Sequence, residues 1–136
     1  MESKAIIDKM MSEDEFSKWL GVEIIDSTEG NVSVQMTVRS EMVNGFGVVH
    51  GGITYSLADS CLAFSINGHG VKSMSIETSI SHIKPVRVGD VLTAKAKQVS
   101  LSNKIGIHSI DVFNQNNELV AQFKGTCYRS GKVWEV

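Results

Sequence analysis

The stretch GITYSLADSCLAFSI, residues 52–66, decides the fold. It is longer than an ordinary buried strand, and its alanine, leucine and serine content favours a helix. At about 100° per residue, one side of that helix is an apolar stripe of Ile53, Leu57, Cys61 and Phe64. The opposite flank holds small residues and one acid: Gly52, Ser56, Asp59, Ser60 and Ala63. Because the helix is apolar on almost all sides, other elements must cover it.

Strand patterns surround this helix in the chain. Two precede it and four follow it, at 22–28, 32–38, 74–81, 91–101, 105–113 and 119–128. In segment 74–81, alternation predicts one face of Met74, Ile76, Thr78 and Ile80, and another of Ser75, Glu77, Ser79 and Ser81. Short turns between neighbouring strands favour an antiparallel sheet. The predicted class is α+β, with a curved sheet wrapped around the long central helix.

The start of the chain also has a helical pattern. Residues 1–20 are predicted to form an N-terminal helical segment, broken near Ser12 and ended by Gly21. Ser12 and Glu15 have the spacing of a capping box for the second piece. The chain has 136 residues, so we expect residues 1–136 to form a single domain.

Composition and charge exclude several classes of function. The net charge of −2 gives no electrostatic reason to expect nucleic-acid binding. No apolar run approaches a membrane span and no signal peptide is visible, so we expect a cytoplasmic protein without membrane contact. Cys61 and Cys127 lie outside any C-x-x-C pattern and are expected to be buried free thiols. The histidines lack metal-ligand spacing, so no metal is expected. No cofactor is expected either.

The segment NGFGVVHGG, residues 44–52, precedes the central helix. Two glycines at a helix N-terminus leave backbone N–H groups unshielded, and such a terminus stabilises negative charge. The alternative is a flexible loop that simply requires glycine. His50 can be a general base, a brace for the loop or a contact to a substrate carbonyl. Asp59 can be a solvated acid or a functional one, and the residue pattern alone leaves both interpretations open.

A family resemblance rests on these residues together. Asn-Gly-x-Gly-x-x-His-Gly-Gly, followed by six residues and Asp59, resembles the hotdog-fold acyl-CoA thioesterases of the phenylacetic-acid-degradation type. The match continues through Ile83-Lys84-Pro85, Gly89-Asp90 and the stretch 125–131, and covers roughly residues 15–131. The resemblance implies a six-stranded antiparallel sheet around the central helix. It also implies a homodimer with active sites at the subunit interface, often paired into a tetramer.

The resemblance also implies an activity and its residues. The activity is hydrolysis of small aryl-CoA or short- or medium-chain acyl-CoA thioesters to the free acid and coenzyme A, which is substrate and not cofactor. Asn44, His50 and the backbone N–H of Gly51 would polarise the thioester carbonyl. Asp59 of the partner subunit would be the nucleophile or general base, and Ser75, with Ser73 as the alternative, would orient water. Candidate contacts to coenzyme A are Lys84, Arg87, Ser102, Asn103, Lys104 and Arg129. Candidate acyl-pocket residues are Phe46, Gly52, Tyr55 and Leu62.

Two other functions share the expected fold. Hotdog hydratases generally carry a histidine five residues after the helix aspartate, and here that position is Phe64. The dehydratase branch pairs a loop histidine with a glutamate further into the helix, and no acid follows between Ser60 and Ile66. A non-catalytic acyl-CoA-binding protein is the second alternative, and the complete set of motif residues argues against it.

Overall fold

The computed structural model describes residues 2–136, and Met1, which the predicted segment 1–20 includes, lies outside them. The helices are α1 (Ser3–Glu13), α2 (Glu15–Leu20) and α3 (Gly51–Asn67), with a 3-10 turn at Ser40–Met42. The strands are β1 (Glu23–Asp26), β2 (Ser33–Thr37), β3 (Val71–His82), β4 (Val91–Leu101), β5 (Ile105–Phe113) and β6 (Leu119–Val133). Every predicted element is present, although β6 continues to Val133 where the pattern predicted its end at Tyr128. Within residues 2–136, no helix is long and apolar enough to cross a membrane.

The six strands form one antiparallel sheet in the order β1-β2-β4-β5-β6-β3. The sheet curves around α3, which packs against β2, β3, β4, β5 and β6. This arrangement confirms the predicted α+β class, with a six-stranded antiparallel sheet and one long central helix. The strands β1 and β3 are the two edges, and the long β3 pairs only with β6 among the described residues.

The core lies between α3 and the concave face of the sheet. Leu57, Leu62 and Phe64 of α3 are at most 1% exposed, and burial of each such side chain contributes about 1.5–3 kcal/mol. Helix and sheet approach closely at Gly125 of β6, where an added Cβ would overlap the Leu62 side chain. Cys61 and Cys127 are free and buried, as the sequence predicted.

The N-terminal helices break two residues later than predicted. Asp14 is the N-cap of α2, and its carboxylate accepts hydrogen bonds from the Ser17 backbone N–H at 2.9 Å and the Ser17 hydroxyl at 2.6 Å. Ser12 lies inside α1, where its hydroxyl donates to the Lys9 carbonyl. The predicted capping box is therefore wrong, because the aspartate is the better-placed cap. The predicted stop at Gly21 is confirmed, since this residue is left-handed with φ 87°.

The predicted faces of β3 are also wrong in part. The register against β6 shifts between Ser75 and Glu77, which is a β-bulge. A bulge inserts one unpaired residue and reverses the alternation of faces beyond it. Ile80 consequently packs against the core, whereas Met74 and Ile76 are 70% and 60% exposed. The predicted common face of Met74, Ile76, Thr78 and Ile80 does not exist.

Candidate active site

The loop that leads into α3 is built around Asn44. Val43 and Val49 form an isolated antiparallel bridge across the loop. Between them, the Asn44 side-chain oxygen accepts hydrogen bonds from the backbone N–H groups of Phe46, at 2.9 Å, and Val48, at 3.1 Å. Because the oxygen is used inside the loop, the amide nitrogen Nδ2 is the group left to bind a ligand, and it can only donate.

His50 is the N-cap of α3. Its Nδ1 accepts a hydrogen bond of 2.8 Å from the backbone N–H of Gly52. An Nδ1 that accepts carries no proton in the neutral ring, so the proton of neutral His50 lies on Nε2. His50 therefore braces the helix start with one nitrogen and presents a donor with the other.

The first residue of α3 supplies another donor. Gly51 is at the first helical position, where a backbone N–H has no partner within the helix. Within residues 2–136, the Gly51 N–H, Asn44 Nδ2 and His50 Nε2 donate to no protein acceptor. Three free donors in one loop at the positive end of a helix dipole suit an oxygen that carries or develops negative charge.

A cavity of about 340 Å³ adjoins this loop. Its lining includes Gly51, Thr54, His82 and Lys84. The His82 ring lies so close to Gly51 that a Cβ there would be 3.2 Å from Nε2. Sequence reasoning considered His82 only as a metal ligand and missed this position. The bulge in β3 determines the face on which His82 lies at the end of the strand, and no local sequence pattern indicates the bulge.

Asp59 lies elsewhere, in the middle of α3. It is half-buried and lines a larger cavity of about 580 Å³, together with Leu62, Ser75 and Cys127. Burial raises the pKa of the Asp59 carboxyl above its ordinary value. Burial, and secondarily the Asp59 charge, raises the pKa of the Cys127 thiol to about 11. A desolvated carboxylate in a cavity is a candidate base or nucleophile.

The structure distinguishes the two candidate serines of β3. The Ser73 hydroxyl donates to the Val71 carbonyl at 2.9 Å, and the Ser73 N–H donates to Asn67. Both serines line the cavity of Asp59, but the Ser75 hydroxyl has no hydrogen-bond partner within residues 2–136. Ser75 is therefore the better candidate for orienting a water molecule.

Helix geometry separates the donors from the acid. His50 caps α3 and Asp59 follows nine residues later in the sequence. At 1.5 Å per residue, the two lie about 13 Å apart along the helix axis. A single carbonyl carbon cannot contact both groups of one chain, because the helix between them is rigid and continuous. The structure thus brings Asn44, His50 and Gly51 together, and places Asp59 with Ser75.

The four predicted acyl-pocket residues do not form one pocket in this chain. Leu62 lines the cavity of Asp59. Tyr55 packs edge-on against Phe123, with ring centroids 5.4 Å apart, and its hydroxyl bonds Thr78. Gly52 is at the helix start and is used by His50. Phe46 is 92% exposed on the loop.

The predicted coenzyme A contacts fall into two groups. Arg129 joins the hairpin of Ser102, Asn103 and Lys104, because its guanidinium donates to the Ser102 carbonyl at 2.7 Å and its N–H to the Lys104 carbonyl at 2.8 Å. Lys84 and Arg87 lie on a different surface of turns. There Lys84 pairs with Glu118 at 2.7 Å.

Residues of the Asp59 cavity that sequence reasoning missed include Met10, Asn67 and Trp134. Trp134 comes after the predicted end of the last strand, so the strand pattern assigned it no place. The available signal in the sequence was that the chain has only two tryptophans, of which Trp134 is one. Within residues 2–136, no cluster of three His, Cys, Asp or Glu side chains is arranged to hold a metal ion.

Comparison with known proteins agrees with this architecture. Residues 46–121 match the model of the thioesterase superfamily. The chain is 36% identical to the acyl-coenzyme A thioesterase PaaI of Escherichia coli K12, over 90% of this chain and 87% of that protein.

Solved structures agree as well. The structure of the Escherichia coli PaaI protein, from the phenylacetic acid degradation operon, matches with a TM-score of 0.94 and 34% identity, over 96% and 95% of the two chains. A hypothetical thioesterase protein of Streptococcus pneumoniae, solved with coenzyme A, matches with a TM-score of 0.80 and 25% identity, over 84% and 92% of the two chains. The match to the family model covers more than half of the chain, and the PaaI relative aligns along most of both sequences. The chain belongs to the thioesterase superfamily.

Proposed function

We propose that this protein is an acyl-CoA thioesterase that hydrolyses small aryl-CoA or short- or medium-chain acyl-CoA thioesters to the acid and coenzyme A. The observation that carries the proposal is the set of three free donors at the start of α3, combined with a desolvated carboxylate on the same helix. The names of the relatives support the substrate class, since PaaI is an acyl-coenzyme A thioesterase and the pneumococcal protein was solved with coenzyme A.

The chemistry follows from the roles of these groups. Asn44 Nδ2, His50 Nε2 and the Gly51 N–H hold the thioester carbonyl oxygen and stabilise the charge that develops on it, and loss of one such donor typically costs a factor of about 10²–10³ in rate. Asp59 attacks the carbonyl carbon or removes a proton from a water that does so, with Ser75 orienting that water. The thiolate of coenzyme A leaves without a strong general acid. Oxygen-isotope incorporation into Asp59 in a single turnover separates direct attack from water activation.

The site needs two subunits. The donors and Asp59 of one chain are about 13 Å apart along α3, so the carboxylate that serves one carbonyl comes from a second copy. The edge strand β3 offers a place to join, because it is long and carries the exposed Met74 and Ile76. We propose a homodimer formed along this edge, paired further into a tetramer. Sedimentation equilibrium measures the assembly directly. The cytoplasmic location stays a prediction from the sequence.

Thiol release from a panel of aryl- and alkyl-acyl-CoAs tests the activity. Asp59→Asn is expected to abolish turnover while acyl-CoA still binds, which isothermal titration measures. Retained turnover in this variant would place the base or nucleophile elsewhere. Rapid hydration of an enoyl-CoA with no thiol release would instead identify a hydratase. Binding without turnover by the unaltered protein would identify a non-catalytic acyl-CoA-binding protein.

Complementation tests the division between subunits. His50→Ala damages the donors and Asp59→Asn damages the acid, so each variant alone is expected to be inactive. Co-refolded in equal amounts, half of the dimers contain one chain of each kind, and one of their two sites is intact. Recovery of about a quarter of the unaltered activity is therefore expected from random pairing in a two-fold dimer. Two Asp59 variants, Asp59→Asn and Asp59→Ala, mixed in the same way are the control, and no recovery is expected there. Failure of the first mixture to recover would show that donors and acid act within one chain.

A further inference from the structure

Trp134 lies at one end of the cavity that holds Asp59. The cavity lining of Asp59, Leu62, Ala63 and Ile66 follows one side of α3 towards its C-terminus. Beyond them the wall is completed by Trp134 from the C-terminal segment, Met10 from α1 and Lys72 from β3. The region between acid and tryptophan is mostly apolar, and its volume of about 580 Å³ is within the usual range of small-molecule pockets.

The tryptophan is held in place by a buried asparagine. Trp134 Nε1 donates to Asn67 Oδ1 at 2.9 Å, and its backbone N–H donates to the Gly70 carbonyl at 2.9 Å. Asn67 is 3% exposed, and it also bonds both backbone groups of Ser73. Lys72 lies over the indole ring, with its ammonium 5.2 Å from the ring centre. Contacts on several sides make Trp134 a fixed wall and not a mobile tail residue.

The distance from acid to wall corresponds to a particular length of acyl chain. Asp59 and Asn67, which binds the indole, are separated by eight residues of α3, or about 12 Å along the axis. An extended peptide advances roughly 3.5 Å for three bonds, so about 12 Å corresponds to roughly ten bonds of an extended chain. A chain of medium length thus fills the cavity, and a longer one meets the indole.

We infer that Trp134 sets the upper limit on acyl length, and that the site takes straight acyl chains up to about ten carbons and compact aryl-acyl groups. The inference rests on the proposed function, because it requires the thioester carbonyl to lie at Asp59. It goes further in naming the residue that rejects long chains, which the family motif does not include.

Replacement of the wall tests the inference. The measured quantity is the ratio of kcat/KM for myristoyl-CoA to kcat/KM for octanoyl-CoA, taken within each protein. Trp134→Ala removes the indole and is expected to raise this ratio about tenfold or more, the range over which apolar pockets discriminate by size. Trp19→Ala is the matched control. Trp19 also stacks on a cation, with Arg39 5.0 Å from its ring centre, but it is 51% exposed and does not line the cavity. The ratio is expected to be unchanged in this control.

A second variant changes the cavity in the opposite direction. Ala63 lines the cavity one helical turn beyond Asp59, about 6 Å along the axis. Ala63→Leu shortens the accessible length, and is expected to lower the ratio of decanoyl-CoA to butanoyl-CoA turnover about tenfold. This variant keeps the Asn67–Trp134 contacts, so it decides the question if Trp134→Ala does not fold, which circular dichroism monitors.

The possible results are distinct. A raised myristoyl-to-octanoyl ratio in Trp134→Ala, together with a lowered decanoyl-to-butanoyl ratio in Ala63→Leu, supports the inference that Trp134 limits acyl length. An active unaltered protein whose chain-length profile is the same in both variants would overturn the inference and leave the proposed function intact. Absence of thiol release by the unaltered protein from every acyl-CoA would overturn the proposed function itself.

Discussion

The imidazole of His108 is fully buried on the inner face of β5, and neither ring nitrogen has a hydrogen-bond partner within residues 2–136. A charged ring at this position would lose its hydration without compensation. Burial, and secondarily the nearby His69, lowers the pKa of His108 from 6.5 to about 4. The folded protein therefore keeps this ring neutral at pH values where the unfolded chain would protonate it.

The size of the effect follows from linkage. Below pH 6.5 the His108 ring binds a proton in the unfolded state, whereas in the folded state it stays neutral down to about pH 4. The contribution of His108 to the free energy of unfolding is therefore present in full above pH 6.5, and it is lost progressively as the pH falls towards 4. A separation of this size corresponds to about 3 kcal/mol, a large share of the 5–15 kcal/mol typical for a domain.

Urea unfolding at pH 7.5 and pH 4.5 measures the loss. His108→Leu removes the titrating ring and its two unpartnered nitrogens, so it is expected to lose about 2–3 kcal/mol less than the unaltered protein between the two pH values. His82→Leu, which removes an exposed imidazole, is the matched control and is expected to follow the unaltered protein. Other titrating groups are common to all three proteins and cancel in the comparison. Equal losses in His108→Leu and the unaltered protein would refute the reasoning and show that the buried ring is solvated or paired.

Two more predictions concern Asp59 and Gly125. Asp59→Asn is expected to raise the urea midpoint at pH 7, because burial raises the pKa of this carboxyl and its ionised form opposes folding; the gain should disappear well below pH 3.8, the ordinary pKa of the group, where the carboxyl is protonated in both states. Gly125→Ala is expected to cost about 1–3 kcal/mol in the free energy of unfolding, because its Cβ would displace the buried Leu62. Gly45→Ala, with nothing near the added Cβ, is its control.

The elements with a strong local period could be predicted from the sequence. The helix over 52–66 and the strands over 91–101 and 105–113 correspond to α3, β4 and β5 with almost the same bounds. Their periodicity reflects burial of one face, which is a property of the segment itself. The prediction failed where a distant partner decides the geometry. The β3 bulge depends on the pairing of Ser75 and Glu77 with β6, which alternation within β3 does not reveal.

The residues of the candidate site divide in the same way into those that could be predicted from the sequence and those that could not. Asn44, His50 and Gly51 could be located from a short motif, because a loop that caps a helix uses contiguous residues. Trp134 and His82 could not, since each reaches its place through another element. Asn67 holds Trp134 across the sheet edge, and the bulge in β3 turns His82 towards Gly51. Contacts between distant segments have no signature in a single sequence.

The spacing within α3 carries the strongest consequence for function. The separation of nine positions between His50 and Asp59 places a donor site and an acid on one rigid rod, too far apart to share a carbonyl. A loop between them could fold back and close the distance, but a helix buried on nearly all sides cannot. The same rod in a second chain of opposite direction would bring the acid of each beside the donors of the other, which a two-fold axis produces twice. Ser75 lies on β3 beside the exposed Met74 and Ile76. The strand that we expect to join the two copies is thus the one that carries the candidate water-orienting serine. Disruption of this edge should therefore abolish turnover as completely as loss of Asp59.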